Sequence, residues 1–162
     1  MAIPDELPAA LRDVGLRPLF AMTVTVPTVH APGGPAGAER RIGDISGGGF
    51  RGERLSGAVL PGGTDWQTLR SDGAVLLDAR VVLRTDDGAS IAMSYTGIRH
   101  GPAEVMARLG RGEDIDPTTY YFRIAPVFAT SASRYEWLNR IVAIGVGHRL
   151  AHGPIYNIFE IL

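Results

Sequence analysis

Between residues 74 and 99 the chain reads as two strands folded back on each other, and no other feature constrains its fold as much. In residues 74–84 (AVLLDARVVLR) the odd positions Val75, Leu77, Ala79, Val81 and Leu83 are all apolar, whereas the even positions mix Ala74, Leu76 and Val82 with Asp78, Arg80 and Arg84. A period of two puts the two sets on opposite faces of a pleated strand. The dipeptide Asp87-Gly88 separates this segment from a second one at residues 90–99. Asp-Gly supplies the positive φ that a tight hairpin turn demands, so an antiparallel pair is expected here.

The rest of the chain keeps the strand rhythm. Phe20, Met22, Val24 and Val26 alternate with Ala21, Thr23 and Thr25 until Pro27 ends the segment. Residues 31–38 (APGGPAGA) read as a flexible loop and not as a phosphate cradle, since no helix follows and no Gly-Lys-Ser/Thr is present. Residues 43–67 (GDISGGGFRGERLSGAVLPGGTDWQ) set glycines among Ile45, Phe50, Leu55, Val59 and Leu60, the composition of bulges and barrel corners. Residues 101–110 (GPAEVMARLG) predict one short helix, with Pro102 near its start and Gly110 at its C-cap. Residues 120–130 (YYFRIAPVFAT) predict a strand with an edge or bulge at Pro126, and residues 131–140 a helical turn with capping-box spacing between Ser133 and Glu136. Two closing strands, 141–150 and 154–162, flank a turn. Residues 4–15 predict a short helix serving as lid or plug, so that an N-terminal segment, 1–16, precedes a barrel domain, 17–162. The expected fold is all-β: a single antiparallel barrel of about eight or nine strands with one or two short helices and no βαβ rhythm.

Composition narrows the chemistry. A chain of 162 residues buries a core without staples, and the absence of cysteine removes disulfides, thiolate nucleophiles and cysteine-based metal sites. Every basic residue is an arginine, which excludes a Schiff-base or general-base lysine. A net charge of −1, with acids and bases interspersed, argues against nucleic acid or an anionic membrane as partner. The N-terminus is acidic and proline-broken, unlike a signal sequence, and no segment is apolar over a membrane's width, so a soluble cytoplasmic protein is expected. His30, His100, His148 and His152 show no metal-ligand spacing, and neither a Gly-x-Ser-x-Gly elbow nor a dinucleotide fingerprint appears. No metal or other cofactor is expected.

The candidate site residues are polar groups inside apolar strands, because a barrel interior holds a charge only when it is paired or hydrogen-bonded. Asp78 and Arg80 share a strand face, either as a pair that pins register or with the arginine left for a ligand. Tyr121 and Arg123 share another and suit a carbonyl, enolate or carboxylate. Trp66 and Trp137 offer flat apolar walls beside Asp65 and Asn139. On the closing strands His148, Tyr156, Asn157 and Glu160 are further candidates for the lumen. The catalytic set is thus Asp65, Asp78, Tyr121 and Arg123, and the binding set Trp66, Arg80, Trp137 and Asn139.

The ordered motifs GGGFRGERLSGAVLPGGTDWQ, LLDARVVLRTDDG, YYFRIAPVFATSASRYEWLN and a closing GVG resemble the bacterial and fungal family called domain of unknown function 3237, across residues 17–162. The resemblance implies a compact antiparallel barrel with a central cavity, lipocalin-like or allene-oxide-cyclase-like in shape, and carries no family mechanism with it. Two functions fit. One is a cofactor-free isomerase, cyclase, lyase or hydratase acting on an oxygenated apolar metabolite of secondary metabolism, with arginines holding an oxyanion, Tyr121 donating a proton and Asp65 or Asp78 accepting one. The other is a non-catalytic carrier or sensor for such a molecule. A homo-oligomer pairing the face of Val75, Leu77, Ala79, Val81 and Leu83 is a third expectation. The decisive point is which faces of residues 75–83 and 120–125 look inward: with Asp78, Arg80 and Arg123 around a cavity the enzyme reading gains, and with them facing solvent the version that rests on them collapses.

Overall fold

The computed structural model describes residues 6–162. Along the chain run β1 (Leu16–Thr25), β2 (Thr28–Gly33), β3 (Glu39–Ile45), β4 (Gly47–Arg51), β5 (Ser56–Val59), β6 (Gly63–Leu69), β7 (Val75–Thr85) and β8 (Ser90–His100). After them come the helix α1 (Ala103–Gly110), β9 (Tyr121–Ala129), a 3-10 segment (Ser133–Arg140), β10 (Val142–Leu150) and β11 (Gly153–Ile161). Eight of these strands close a ring in the order β7, β8, β9, β10, β11, β1, β4, β5 and back to β7, every pair antiparallel.

The ring begins at the predicted hairpin. β7 and β8 pair from Val75 opposite Arg99 to Arg84 opposite Ser90, and Gly88 takes φ +89° in the turn. The odd residues of β7 are buried and Asp78, Arg80, Val82 and Arg84 are exposed, so the apolar face fills the interior. That removes it as a surface for a second copy. One edge of β7 is shared: residues 83–85 pair with β5, while residues 75–80 pair with β6. From β6 the sheet continues through β3 to β2, a flap of three strands that extends the wall at one end of the barrel.

The two ends differ. At one, the 3-10 segment buries Tyr135 and Leu138, and Phe20 packs on Phe50 and Phe128 with ring centroids 5.2 and 6.1 Å away. That end is solid. At the other, the flap and α1 enclose space. Close strand approach is bought by glycine at Gly48, where φ is +149° and a Cβ would lie 2.0 Å from the Thr23 carbonyl oxygen.

Several local expectations are corrected. Within the described residues, the predicted 4–15 helix is represented by helical Glu6 and a separate 3-10 turn at Ala9–Leu11, and Leu11 and Val14 stay exposed. Residues 8–15 are all exposed and so plug nothing; residues 4 and 5 lie outside the described part. Residues 31–33 extend β2 and are not loop. Gly110 is the last residue of α1, and Gly112 (φ +79°) takes the left-handed position. Ser133 lies inside the 3-10 segment, whose N-cap is Ala132 without a side-chain cap bond. Among the described residues no helix is long and apolar enough to cross a membrane.

Candidate functional site

The open end of the barrel holds a cavity of about 680 Å³ whose walls come from the ring, the flap and α1. Its floor is aromatic. Tyr156 meets Tyr95 and Phe122 edge-to-face, at 5.5 and 5.4 Å between centroids, and all three side chains are buried. Gly147, opposite Phe122 across β9 and β10, makes room for that ring: a Cβ there would stand 2.7 Å from it. The sides are apolar through Val75, Leu77, Met106 and Leu109.

Above the aromatic floor sits a set of polar groups. Asp65, on β6 opposite Ala79, is 7% exposed and has one carboxylate oxygen on the Gln67 amide at 2.8 Å. Arg99 ends the inward series Ile91, Met93, Tyr95, Gly97 of β8, and it too is 7% exposed. Its guanidinium lies 5.1 Å over the Phe122 ring. Arg149 ends the inward series Ala143, Gly145, Gly147 of β10. Four atoms of this set are buried without a hydrogen-bond partner: Asp65 Oδ1, Arg99 Nε, Arg149 Nη1 and the Tyr156 hydroxyl. Buried polar groups are almost always satisfied, and four orphans on residues that line one cavity mark a place built for a ligand.

Electrostatics follow from burial. Removal from water pushes the Asp65 carboxyl above its ordinary value, against the Gln67 amide and the Arg99 charge, which pull it down. Burial also disfavours the charge on Arg99, with repulsion from Arg149 adding to it, and on Arg149 itself. The arginines remain cations. Burial raises the phenols of Tyr95 and Tyr156 as well, keeping both as hydroxyls.

Arg149 is held from behind. The Tyr120 phenol oxygen accepts the Arg149 backbone N–H at 2.8 Å and lies 2.8 Å from His148 Nδ1, while His148 Nε2 is 3.1 Å from Asp114 Oδ1. The phenol fills the gap where β9 and β10, paired at residues 123–124 and 145–146, part company.

Of the residues singled out in the sequence, Asp65 lies in the cavity, and so does Tyr156. The others are elsewhere. Asp78 and Arg80 stand exposed on the outer face of β7, where Trp66, itself 53% exposed, is Asp78's cross-strand neighbour. Tyr121 stacks on His100 at 5.1 Å outside the barrel, with the Arg123 guanidinium 4.6 Å over its ring and donating to the Phe122 carbonyl. Trp137 packs at the solid end under Arg54, whose guanidinium is 4.1 Å away, and Asn139 clamps both backbone groups of Thr130 at 2.9 Å. Asn157 is exposed, and Glu160 pairs with Arg54.

Arg99 and Arg149 were missed for a definable reason. Asp78, Arg80 and Arg123 stand on the mixed faces of amphipathic strands, and that face meets water. A charge in phase with the apolar face points into the lumen, and Arg99 and Arg149 each close such a series.

The family model described as "Protein of unknown function (DUF3237)" matches residues 14–161. A UPF0311 protein of Rhodopseudomonas palustris is 37% identical over 144 residues, which are 89% of this chain and 94% of that protein. A crystal structure of a conserved protein from the same organism superposes with a TM-score of 0.90 at 35% identity, covering 93% of this chain and 99% of that one. The crystal structure of a β-barrel-like protein from Acinetobacter baumannii gives 0.81 at 41% identity, covering 93% and 97%. A hydroalkoxylation enzyme of Penicillium herquei is 29% identical over 101 residues, 62% of this chain and 52% of that protein. A Penicillium herquei enzyme structure shares the fold, with a TM-score of 0.73 at 24% identity over 96% and 100% of the two chains.

Proposed function

This chain belongs to the DUF3237 family, and from that premise and the polar set in its cavity we propose that it is a small-molecule enzyme that works by proton transfer inside the barrel. The observation that carries the reading is Asp65: a carboxylate out of water, with one oxygen fixed by Gln67 and the other free, on the same cavity as two unpaired arginines. A base raised by burial and an oxyanion seat are the two parts that enolisation, cyclisation, elimination and addition of water or alcohol have in common.

Free Oδ1 of Asp65 takes a proton from an acidic C–H or O–H of the substrate, and the bonding pair moves onto the substrate's oxygen or the adjacent π-system. Arg99 and Arg149 hold the oxyanion so formed. The protonated Asp65 then returns its proton to carbon, which completes an isomerisation; in an addition, the deprotonated oxygen first forms its bond to one carbon of a conjugated double bond, the π pair moves onto the conjugated carbonyl oxygen held by the arginines, and the Asp65 proton closes the neighbouring carbon. The aromatic floor excludes water and shapes the substrate's apolar body. The Penicillium herquei relative is a hydroalkoxylation enzyme, an activity of this kind, which supports the reading.

The test is a turnover screen of enols, enones and hydroxy-enones by mass spectrometry with the native chain and Asp65→Asn. Loss of roughly 100-fold or more in kcat is expected for the variant. Full turnover by Asp65→Asn would overturn the mechanism. Saturable binding with no product across the screen would favour the carrier reading of the same cavity.

A further inference from the structure

We infer that the ligand of this cavity is a monoanion with a planar, delocalised oxyanion, a carboxylate or an ionised enol or phenol, and that Arg99 and Arg149 together are its seat. The inference rests on the functional reading above in taking the cavity as the site, and it adds the class of molecule the cavity selects.

Three observations lead to it. First, both guanidinium groups leave a buried N–H without any acceptor, Nε of Arg99 and Nη1 of Arg149. A buried guanidinium is costly unless a partner takes its protons, and Asp65, bonded to Gln67, does not serve as that partner. Second, the charges do not cancel. The cavity is lined by Arg41, Arg70, Arg99 and Arg149 against Glu39 and Asp65, and Arg70 is already paired with Asp72 outside. Three cations to two carboxylates leave one positive charge over, which a monoanion neutralises. A phosphate dianion would set surplus negative charge beside Asp65. Third, the two lumenal arginines repel each other, and burial makes Asp65 a proton acceptor that weakens its own help to them. An oxyanion shared between the forks relieves the repulsion and meets a planar donor set with a planar acceptor. The Phe122 ring lies under Arg99, and with Tyr156, edge-to-face to it, forms the apolar floor against which the ligand's body packs.

The experiment uses the intact chain and three matched pairs of probes in calorimetry: acetate with acetamide, benzoate with benzamide, cinnamate with cinnamamide. A fourth probe, 4-nitrophenol, reports its own ionisation by absorbance. At least one carboxylate is expected to bind about tenfold or more tightly than its amide, and bound 4-nitrophenol to be more ionised than the free compound at the same pH. A response to the carboxylates alone assigns the seat to carboxylic acids, and a response to nitrophenol alone assigns it to enols and phenols. Arg99→Met and Arg149→Met are each expected to abolish the preference while thermal melting shows a folded barrel, and Arg80→Met, on the outer face, to leave it intact. If no carboxylate outbinds its amide and nitrophenol gains no ionisation, the oxyanion seat is refuted. The two readings fail separately: Asp65-dependent turnover of neutral substrates without anion preference sinks the seat alone, whereas arginine-dependent anion binding with no turnover of any anionic compound sinks the enzyme reading alone.

Discussion

At the scale of single residues, Asp65 decides most. Its side chain is nearly out of water, its pKa is raised above the ordinary 3.8, and burial is the first cause. Below that ordinary value the carboxyl is protonated in folded and unfolded chains alike. As pH rises from there to the raised native value, the unfolded chain releases a proton that the folded chain keeps, so stability falls through that window and stays lowered above it. Asp65→Asn is therefore expected to melt higher than the native chain at pH 7, by about 1 kcal/mol or roughly 3 °C, and to lose this advantage below the ordinary carboxylate range. A variant that melts lower at pH 7 would contradict it. Asp78 and Arg123 make the opposite case. Both stand outside the lumen, so Asp78→Asn and Arg123→Ala are expected to leave kcat and KM of any turnover unchanged, as measured in the same screen.

At the scale of elements, the cavity depends on where β9 and β10 meet and where they part. Gly147 lets the Phe122 ring lie flat against β10; a valine there drives its branches into a ring already 2.7 Å from the added Cβ. Gly147→Val is expected to cost about 1–3 kcal/mol, read as a lowered denaturant midpoint, and to shrink the cavity's floor. Further along, Tyr120 satisfies the Arg149 backbone N–H that β9 no longer reaches. Tyr120→Phe removes that acceptor and is expected to destabilise by about 1–2 kcal/mol. It should also weaken anion binding, because the strand that carries Arg149 loses its anchor; unchanged binding would mean that the tyrosine serves stability alone.

At the scale of the whole molecule, ring closure removes sheet edges from eight strands and leaves β2 at the rim of the flap. All but one of its residues are exposed, whereas β8 is paired along both sides. Amide hydrogen exchange is expected to be fastest in β2 and slowest in β7 and β8, as mass spectrometry of peptic peptides would measure. The opposite order would place the weakest element in the ring. Much of this architecture is legible in the chain. The two-residue period of β7, the Asp87-Gly88 turn, the glycines of the barrel corners and the motif order all follow from local physics, since sterics and alternation act between neighbours. The flap is not, because the decision that β7 shares one edge between β5 and β6 involves strands far apart in sequence.

The same division holds for the site. Alone, the sequence determined an antiparallel barrel, its family and the division of β7 into an apolar and a mixed face, because each depends on short-range alternation and turn chemistry; that the apolar face looks inward was decided by the closed ring. The sequence reached Asp65 and weighed Tyr156, yet favoured charges on strand faces that meet water. Only the tertiary structure decided that Arg99, Arg149, Asp65 and Tyr156, from four different strands, share one cavity and leave their polar atoms unpartnered. Convergence of that kind is a property of barrel closure and of the flap laid on it: which inward positions stand level depends on the register of the ring pairs and of β6 on β7, and no local segment encodes it.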